Sequence, residues 1–252
     1  MLEEMAKRIR LAVIEMSHRA ETPHLGSSLS VVDILCALSD KIKSDKVILS
    51  KGHAITALYA LLAELGQIDK AELLHFNENG SRLPEQPSPH CVPGVEWATG
   101  SLGHGLSVGV GFALAARIKG EKYKTYIVMS DGECNEGSVW EASMFAGAQG
   151  LNNLVVIVDY NKWQATGRSN DVMHLSPLVG KFQSFGWDAV EIDGHDIETL
   201  TSEINRESNK PIAIIANTIK GKGVSFMEDD NNWHYRIPTK DQVAMAKAEL
   251  GL

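Results

Sequence analysis

Two wholly apolar runs constrain the fold of this chain most. Tyr126-Ile127-Val128-Met129 leads straight into Ser130-Asp131-Gly132-Glu133, and further on Leu154-Val155-Val156-Ile157-Val158-Asp159 leads into Tyr160-Asn161. Strand-length runs without polar alternation belong to a parallel sheet covered on both faces. Ligands of such sheets sit beyond the carboxyl ends of the strands. If the two runs are neighbours, Asp131 and Asn161 share one sheet edge. A carboxylate and an amide oxygen are hard ligands, suited to a magnesium ion that also grips a phosphate. Gly132 would let the backbone approach that phosphate closely. The same Asp and Asn also suit helix caps and turns, and on these residues alone both readings stand.

The rest of the chain extends this α/β pattern. Met5, Ile9, Ala12, Val13 and Met16 fall on one face of a helix over Glu3–Ala20. Helices are expected over Ser28–Leu38, Ala54–Leu65, Gly103–Lys119, Ser138–Gly147 and Ile197–Glu207, with a last one from Thr239. Strands are expected over Lys46–Leu49, Thr125–Met129, Leu154–Asp159, Trp187–Ile192 and Pro211–Thr218. Alternation of this kind predicts a parallel sheet with helices on both faces. The segment Asn77–Gly94, rich in Pro, Asn and Ser, reads as a long loop, and such loops inside a domain are often functional. The 252 residues suffice for one domain, expected to span 1–252.

Composition excludes several classes. A formal net charge of −8 argues against nucleic acid and against an anionic membrane surface. Cys36, Cys91 and Cys134 have no zinc or CxxC spacing and read as free thiols of a reducing compartment. No membrane-length apolar run and no leader pattern are present, so a cytoplasmic protein is expected.

The pair of strand ends is similar to the thiamine diphosphate motif, GDG followed by NN, with Ser130 in place of the first Gly and Tyr160 in place of the first Asn. Further motifs follow in order. They are Pro23-His24-Leu25-Gly26, Leu49-Ser50-Lys51-Gly52-His53-Ala54, Pro93-Gly94-Val95-Glu96, Thr99-Gly100-Ser101-Leu102-Gly103, Glu136-Gly137, Lys220-Gly221-Lys222-Gly223 and Trp233-His234. Together they resemble the N-terminal, diphosphate-binding half of transketolase over essentially the whole chain. The resemblance implies a two-carbon ketol transfer from a ketose or ketose phosphate to an aldose or aldose phosphate. It also implies thiamine diphosphate with Mg2+, or Ca2+ or Mn2+ in its stead, and a place in pentose phosphate metabolism.

The same resemblance assigns roles. Asp131, Asn161 and the Trp163 carbonyl would ligate the metal. His53, Gly100, Ser101, Leu102, Gly132, Glu133 and Asn161 would contact the cofactor, with Leu102 wedging its two rings into a bent shape. His24, His53 and His234 would line the substrate channel, though any lone His is more often a packed or surface residue. Glu136 would touch a partner carboxylate; the alternative is a first-turn Glu favoured by the helix dipole. Relatives often carry His-Pro before PGVE, where this chain has Gln86-Pro87, so either Gln86 or His90 would serve there. Lys220 and Lys222 read rather as a solvated basic turn than as phosphate ligands. His18, His75, His174 and His195 carry no motif and read as structural.

The match leaves no room in the 252 residues for the pyrimidine-binding and C-terminal domains of the family, which are expected to lie outside this chain. A split enzyme is therefore expected, active with a separate C-terminal subunit, in an α2β2 assembly. Competing readings are a deoxyxylulose-phosphate synthase-like or 2-oxoacid dehydrogenase-like subunit, or a non-catalytic cofactor-binding partner.

Overall fold

The computed structural model describes Met1–Leu252. Its centre is a five-stranded sheet of β1 (Lys46–Leu49), β2 (Thr125–Ser130), β3 (Leu154–Tyr160), β4 (Asp188–Asp193) and β5 (Ile212–Asn217), in the order β1-β2-β3-β5-β4. Every pairing is parallel. Side-chain alternation sends Val47, Leu49, Tyr126, Val128, Val155, Ile157, Ile212 and Ile214 into one core. It sends Ile48, Ile127, Met129, Leu154, Val156, Val158, Ala213 and Ile215 into the other. This is why both central runs are apolar at every position: neither face meets water.

The larger core lies under α1 (Leu2–Ala20), α3 (Val32–Ala37), α4 (Ile55–Glu64) and α9 (Ile197–Asn205). The smaller lies under α5 (Gly105–Lys119), α6 (Gly137–Ala148) and α8 (Leu178–Ser184). Short α2 (Leu25–Ser30) and α7 (Ser169–Val172) sit near the carboxyl edge, and α10 (Lys240–Glu249) packs on α1. Local chemistry sets several boundaries. Asp196 caps α9 by accepting from the Glu198 and Thr199 amides. Thr239 and Gln242 form a capping box on α10.

Two expectations need correction. The helix foreseen over Ser28–Leu38 is two short helices, α2 and α3, separated at Val31. Tertiary packing decides this, because nearly every residue there is buried and no single polar face exists to mark one continuous helix. The region between β3 and β4, unassigned from sequence, folds into α7 and α8. The loop expected over Asn77–Gly94 is irregular throughout and extends to His104. No helix is long and apolar enough to cross a membrane.

Candidate functional site

β2 and β3 pair in register from Thr125↔Leu154 to Ser130↔Asp159. Asp131 and Asn161 therefore emerge at the same carboxyl edge, from adjacent strands. Beyond that edge lies a cavity of about 380 Å³. It draws His24, Ser27 and His53 from one side, and Gln86, Gly100 and Leu102 from the long loop. Ser130, Gly132, Asn135 and Glu136 come from the end of β2, and Asn161, Trp163 and Gln164 from the end of β3. His234 completes the wall. Segments distant in sequence meet here because each follows a strand or precedes a helix at one edge of the sheet.

Beneath the cavity lies a layer of fully buried charged side chains. Asp131 is fully buried; its Oδ2 accepts from Ser169 Oγ at 2.7 Å and its Oδ1 from the Gly132 amide at 2.9 Å. Burial pushes its carboxyl up to about 6, against the Ser169 hydrogen bond. Asn161 Oδ1 accepts from the Trp163 amide at 3.0 Å, and its Nδ2 donates to Ser30 Oγ at 3.3 Å. Beside them Lys51, fully buried, donates to Asp159 and, at 3.0 Å, to the Ser27 carbonyl. Asp159 also accepts from Ser30 Oγ at 2.6 Å and from Thr218 Oγ1. Lys51 is thus paired, while Asp131 has only neutral donors.

This donor set fits a divalent cation. A buried carboxylate without a countercharge is the group a cation relieves most. No three His, Cys, Asp or Glu side chains cluster as a metal cage. A cation at Asp131 and Asn161 would draw its other ligands from backbone, water or a phosphate, as Mg2+ commonly does. The cavity also fits an anionic ligand. Gln164 Nε2 and His24 Nδ1 are buried without a hydrogen-bond partner. Gly52 packs so closely that a Cβ would lie 2.7 Å from the Gly100 amide nitrogen, which keeps the loop against the His53 turn.

Three imidazoles form the wall. Ring centroids are 4.9 Å apart for His24–His234, 5.5 Å for His24–His53 and 6.1 Å for His53–His234. The backbone binds two of them together, since the His24 amide donates to the His234 carbonyl at 2.9 Å. Burial, then the Lys220 ammonium, pushes His234 down to about 3 and lowers His24. Burial, then Lys51, holds His53 well below the usual range. All three are neutral near pH 7 and offer one donor and one acceptor each.

Several expected residues stand elsewhere. Glu133, expected at the cofactor, is fully buried below the cavity, where its carboxylate accepts from Ser50 Oγ at 2.5 Å and from the Gly103 and Ser130 amides at 3.0 Å. It braces the loop that carries Gly100 and Leu102. Ser101 is exposed and outside the cavity wall. His90 is exposed at φ 56°, also outside it, whereas Gln86 lies over Gly100, where a Cβ on that glycine would be. Of the two alternatives, Gln86 is the one at the cavity.

Lys220 is not a solvated turn. It is 1% exposed, donates to Asn231 Oδ1 at 2.6 Å and lies 3.4 Å from His234 Nδ1. Burial, then Lys51, lowers its ammonium to about 8. Lys222, half-buried near Glu228 at 3.5 Å, is the surface member of the pair. Sequence reading missed Asp159 and Gln164 as members of the site. The signal for Asp159 was a lone acidic residue at the end of an otherwise apolar strand, which demands a buried partner.

Comparison with known proteins bears on the whole chain. The family described as "Transketolase, thiamine diphosphate binding domain" matches residues 1–252. An apulose-4-phosphate transketolase subunit of Phocaeicola vulgatus is 39% identical, over 99% of this chain and 93% of its own length. A 6-deoxy-6-sulfo-D-fructose transketolase subunit of Clostridium sp. is 37% identical, over 99% of this chain and 96% of its own length. Transketolase of Campylobacter jejuni superposes with a TM-score of 0.92 at 29% identity, covering 100% of this chain but 43% of that one. The chain thus spans less than half of the solved transketolase and nearly all of the subunit-type relatives.

Proposed function

The chain belongs to the transketolase family as its thiamine diphosphate-binding domain, and from that premise we infer that it is the N-terminal subunit of a two-subunit transketolase. It transfers a two-carbon ketol unit from a ketose or ketose phosphate to an aldose or aldose phosphate. It works with a separate C-terminal subunit, in an α2β2 assembly and in the cytoplasm. Support for the split comes from the two apulose-4-phosphate transketolase relatives, each a subunit by name and matched along 93% and 95% of its own length.

The observation that carries the reading is one cavity in which Gly132 and Asn161, from the paired ends of β2 and β3, share the wall with three neutral imidazoles, with Asp131 buried beside them. Asp131 and Asn161, with the Trp163 carbonyl, would hold Mg2+, which Ca2+ or Mn2+ could replace. Gln164, His53 and Lys220 would donate to the diphosphate. Gly132, whose amide now donates to Asp131, would redirect it there. Gly100 and Leu102 would contact the rings. Thiamine diphosphate, when bound, supplies the electron sink that lets a carbon–carbon bond beside a carbonyl break and re-form.

The remaining work falls to side chains of this chain. His24, His53 and His234 donate N–H to sugar hydroxyls and carbonyl oxygen, and as neutral rings they also accept a proton from a hydroxyl. Gln86 offers an amide at the acceptor side. It orients a substrate hydroxyl without exchanging a proton. Glu136, exposed on the cavity rim, would meet a carboxylate of the C-terminal partner and share a proton with it.

The test is reconstitution. The chain is purified alone and with its C-terminal partner, then assayed with Mg2+, thiamine diphosphate and a panel of ketose phosphates and pyruvate. Turnover of ketoses is expected only from the pair. Strong turnover by this chain alone refutes the split, and use of pyruvate as donor refutes the transketolase assignment.

A further inference from the structure

A buried charged group lies behind the Lys220 segment, and the cavity does not use it. Arg10 of α1, Asp33 of α3 and His195 of the β4–α9 turn meet there. Asp33 Oδ2 accepts from Arg10 Nη2 at 2.5 Å and from His195 Nδ1 at 2.7 Å. Arg10 is 6% exposed and Asp33 is 5% exposed, so solvent hardly screens the pair. The other ring nitrogen, His195 Nε2, lies 2.8 Å from the Ile219 amide.

That amide settles the tautomer. A backbone N–H only donates, so Nε2 holds a lone pair and the ring proton of the neutral imidazole sits on Nδ1, facing Asp33. Asp33 therefore orients the ring, and the ring in turn holds Ile219. Arg10 Nε donates to the Lys222 carbonyl at 3.0 Å. Two side chains, His195 and Arg10, both held by Asp33, thus grip the backbone on the two sides of Lys220. On the cavity side, Lys220 reaches Asn231 and His234.

We propose that His195, held in one tautomer by Asp33 and Arg10, is a positioning residue that fixes Lys220 and, through it, His234 at the wall of the cofactor cavity. The proposal rests on reading that cavity as the thiamine diphosphate site. Losing His195 leaves the half-buried Ile219 amide without its acceptor and releases the loop at the residue before Lys220.

Thiamine diphosphate binding is measured by calorimetry with Mg2+, on the chain together with its C-terminal partner, alongside melting curves. His195→Leu is expected to weaken binding roughly tenfold, by the loss of the hydrogen bond that holds the Ile219 amide. His195→Gln, whose Oε1 can accept from the Ile219 amide, is expected to recover most of that loss. Hydrogen exchange at Ile219–Lys222 rises in His195→Leu and not in His195→Gln. Should His195→Leu fail to fold, Asp33→Asn replaces it: the amide keeps an acceptor for both donors but loses the charge that orients the ring. Binding unchanged in His195→Leu, or in Asp33→Asn where it stands in, overturns the proposal. So does equal loss in His195→Leu and His195→Gln with equal falls in melting temperature, because the group would then only staple the fold. A wild-type complex that binds no thiamine diphosphate overturns the cofactor reading itself, and the proposal with it.

Discussion

Lys51→Met tests the ion pair beneath the cavity. Lys51 and Asp159 are both fully buried and bonded to each other. Removing the ammonium leaves a carboxylate that must stay charged in a dry site or take up a proton. The second route caps the cost. Protonating a carboxylate at pH 7, about three units above its solution value, costs about 4 kcal/mol, which agrees with the ~3–5 kcal/mol typical of a broken buried pair. For a chain of this size that lowers the melting temperature by about 10 °C.

The two single variants should differ in pH dependence. In Lys51→Met the loss shrinks as pH falls toward 5, because protonating the stranded carboxylate becomes easier. In Asp159→Asn the stranded ammonium must lose a proton, so the loss shrinks as pH rises toward 9. The double variant Lys51→Met/Asp159→Asn should lose less than the sum of the two by about 2 kcal/mol or more. Urea titrations of all four proteins at pH 5, 7 and 9 read these outcomes. Additive losses with no opposite pH trends would show that the pair is not the coupled unit described above.

Two further perturbations probe the cavity directly. Asp131 has a folded-state value near 6, above the ordinary 3.8, so the native state binds its proton more tightly. Stability of the cofactor-free chain should then fall as pH rises from about 4 to about 6, by up to ~3 kcal/mol. Asp131→Asn should lack that slope, be more stable than wild type at pH 7 and bind no Mg2+–thiamine diphosphate, as denaturation and calorimetry would read; a matching slope in the variant contradicts the assignment. Gln86→Ala should reduce kcat/KM for the aldose acceptor roughly tenfold, while His90→Ala should stay within about twofold, and the reverse order would return the acceptor contact to His90.

Much of the architecture was legible in the residues. Apolar runs located the two central strands, because a sheet buried on both faces leaves little room for polar side chains in mid-strand, and β4 at the sheet edge, half-exposed with Asp188, Glu191 and Asp193, was located without such a run. The strand ends near Asp131 and Asn161 were legible for the same reason: each lies within three residues of the point where an apolar run stops, which marks the carboxyl edge of the sheet. Local pattern was weakest where everything is buried, as in α2 and α3, and where no motif stood, as in α7 and α8.

What the sequence by itself determined is the list of chemical parts: two hard oxygens, three imidazoles, a basic loop and the glycines that admit them. What only the tertiary structure decided is which way each part faces. Glu133 and Asp131 are two residues apart on a tight turn, yet one braces the Gly103 loop while the other turns to Ser169 in the segment that follows β3. Lys220 and Lys222 flank one glycine, yet one is buried against His234 and the other meets solvent. His195, without a motif, became a support of the site because two elements far apart in sequence close on its two nitrogens. Burial depends on the whole packed surface, and no window of neighbouring residues contains it.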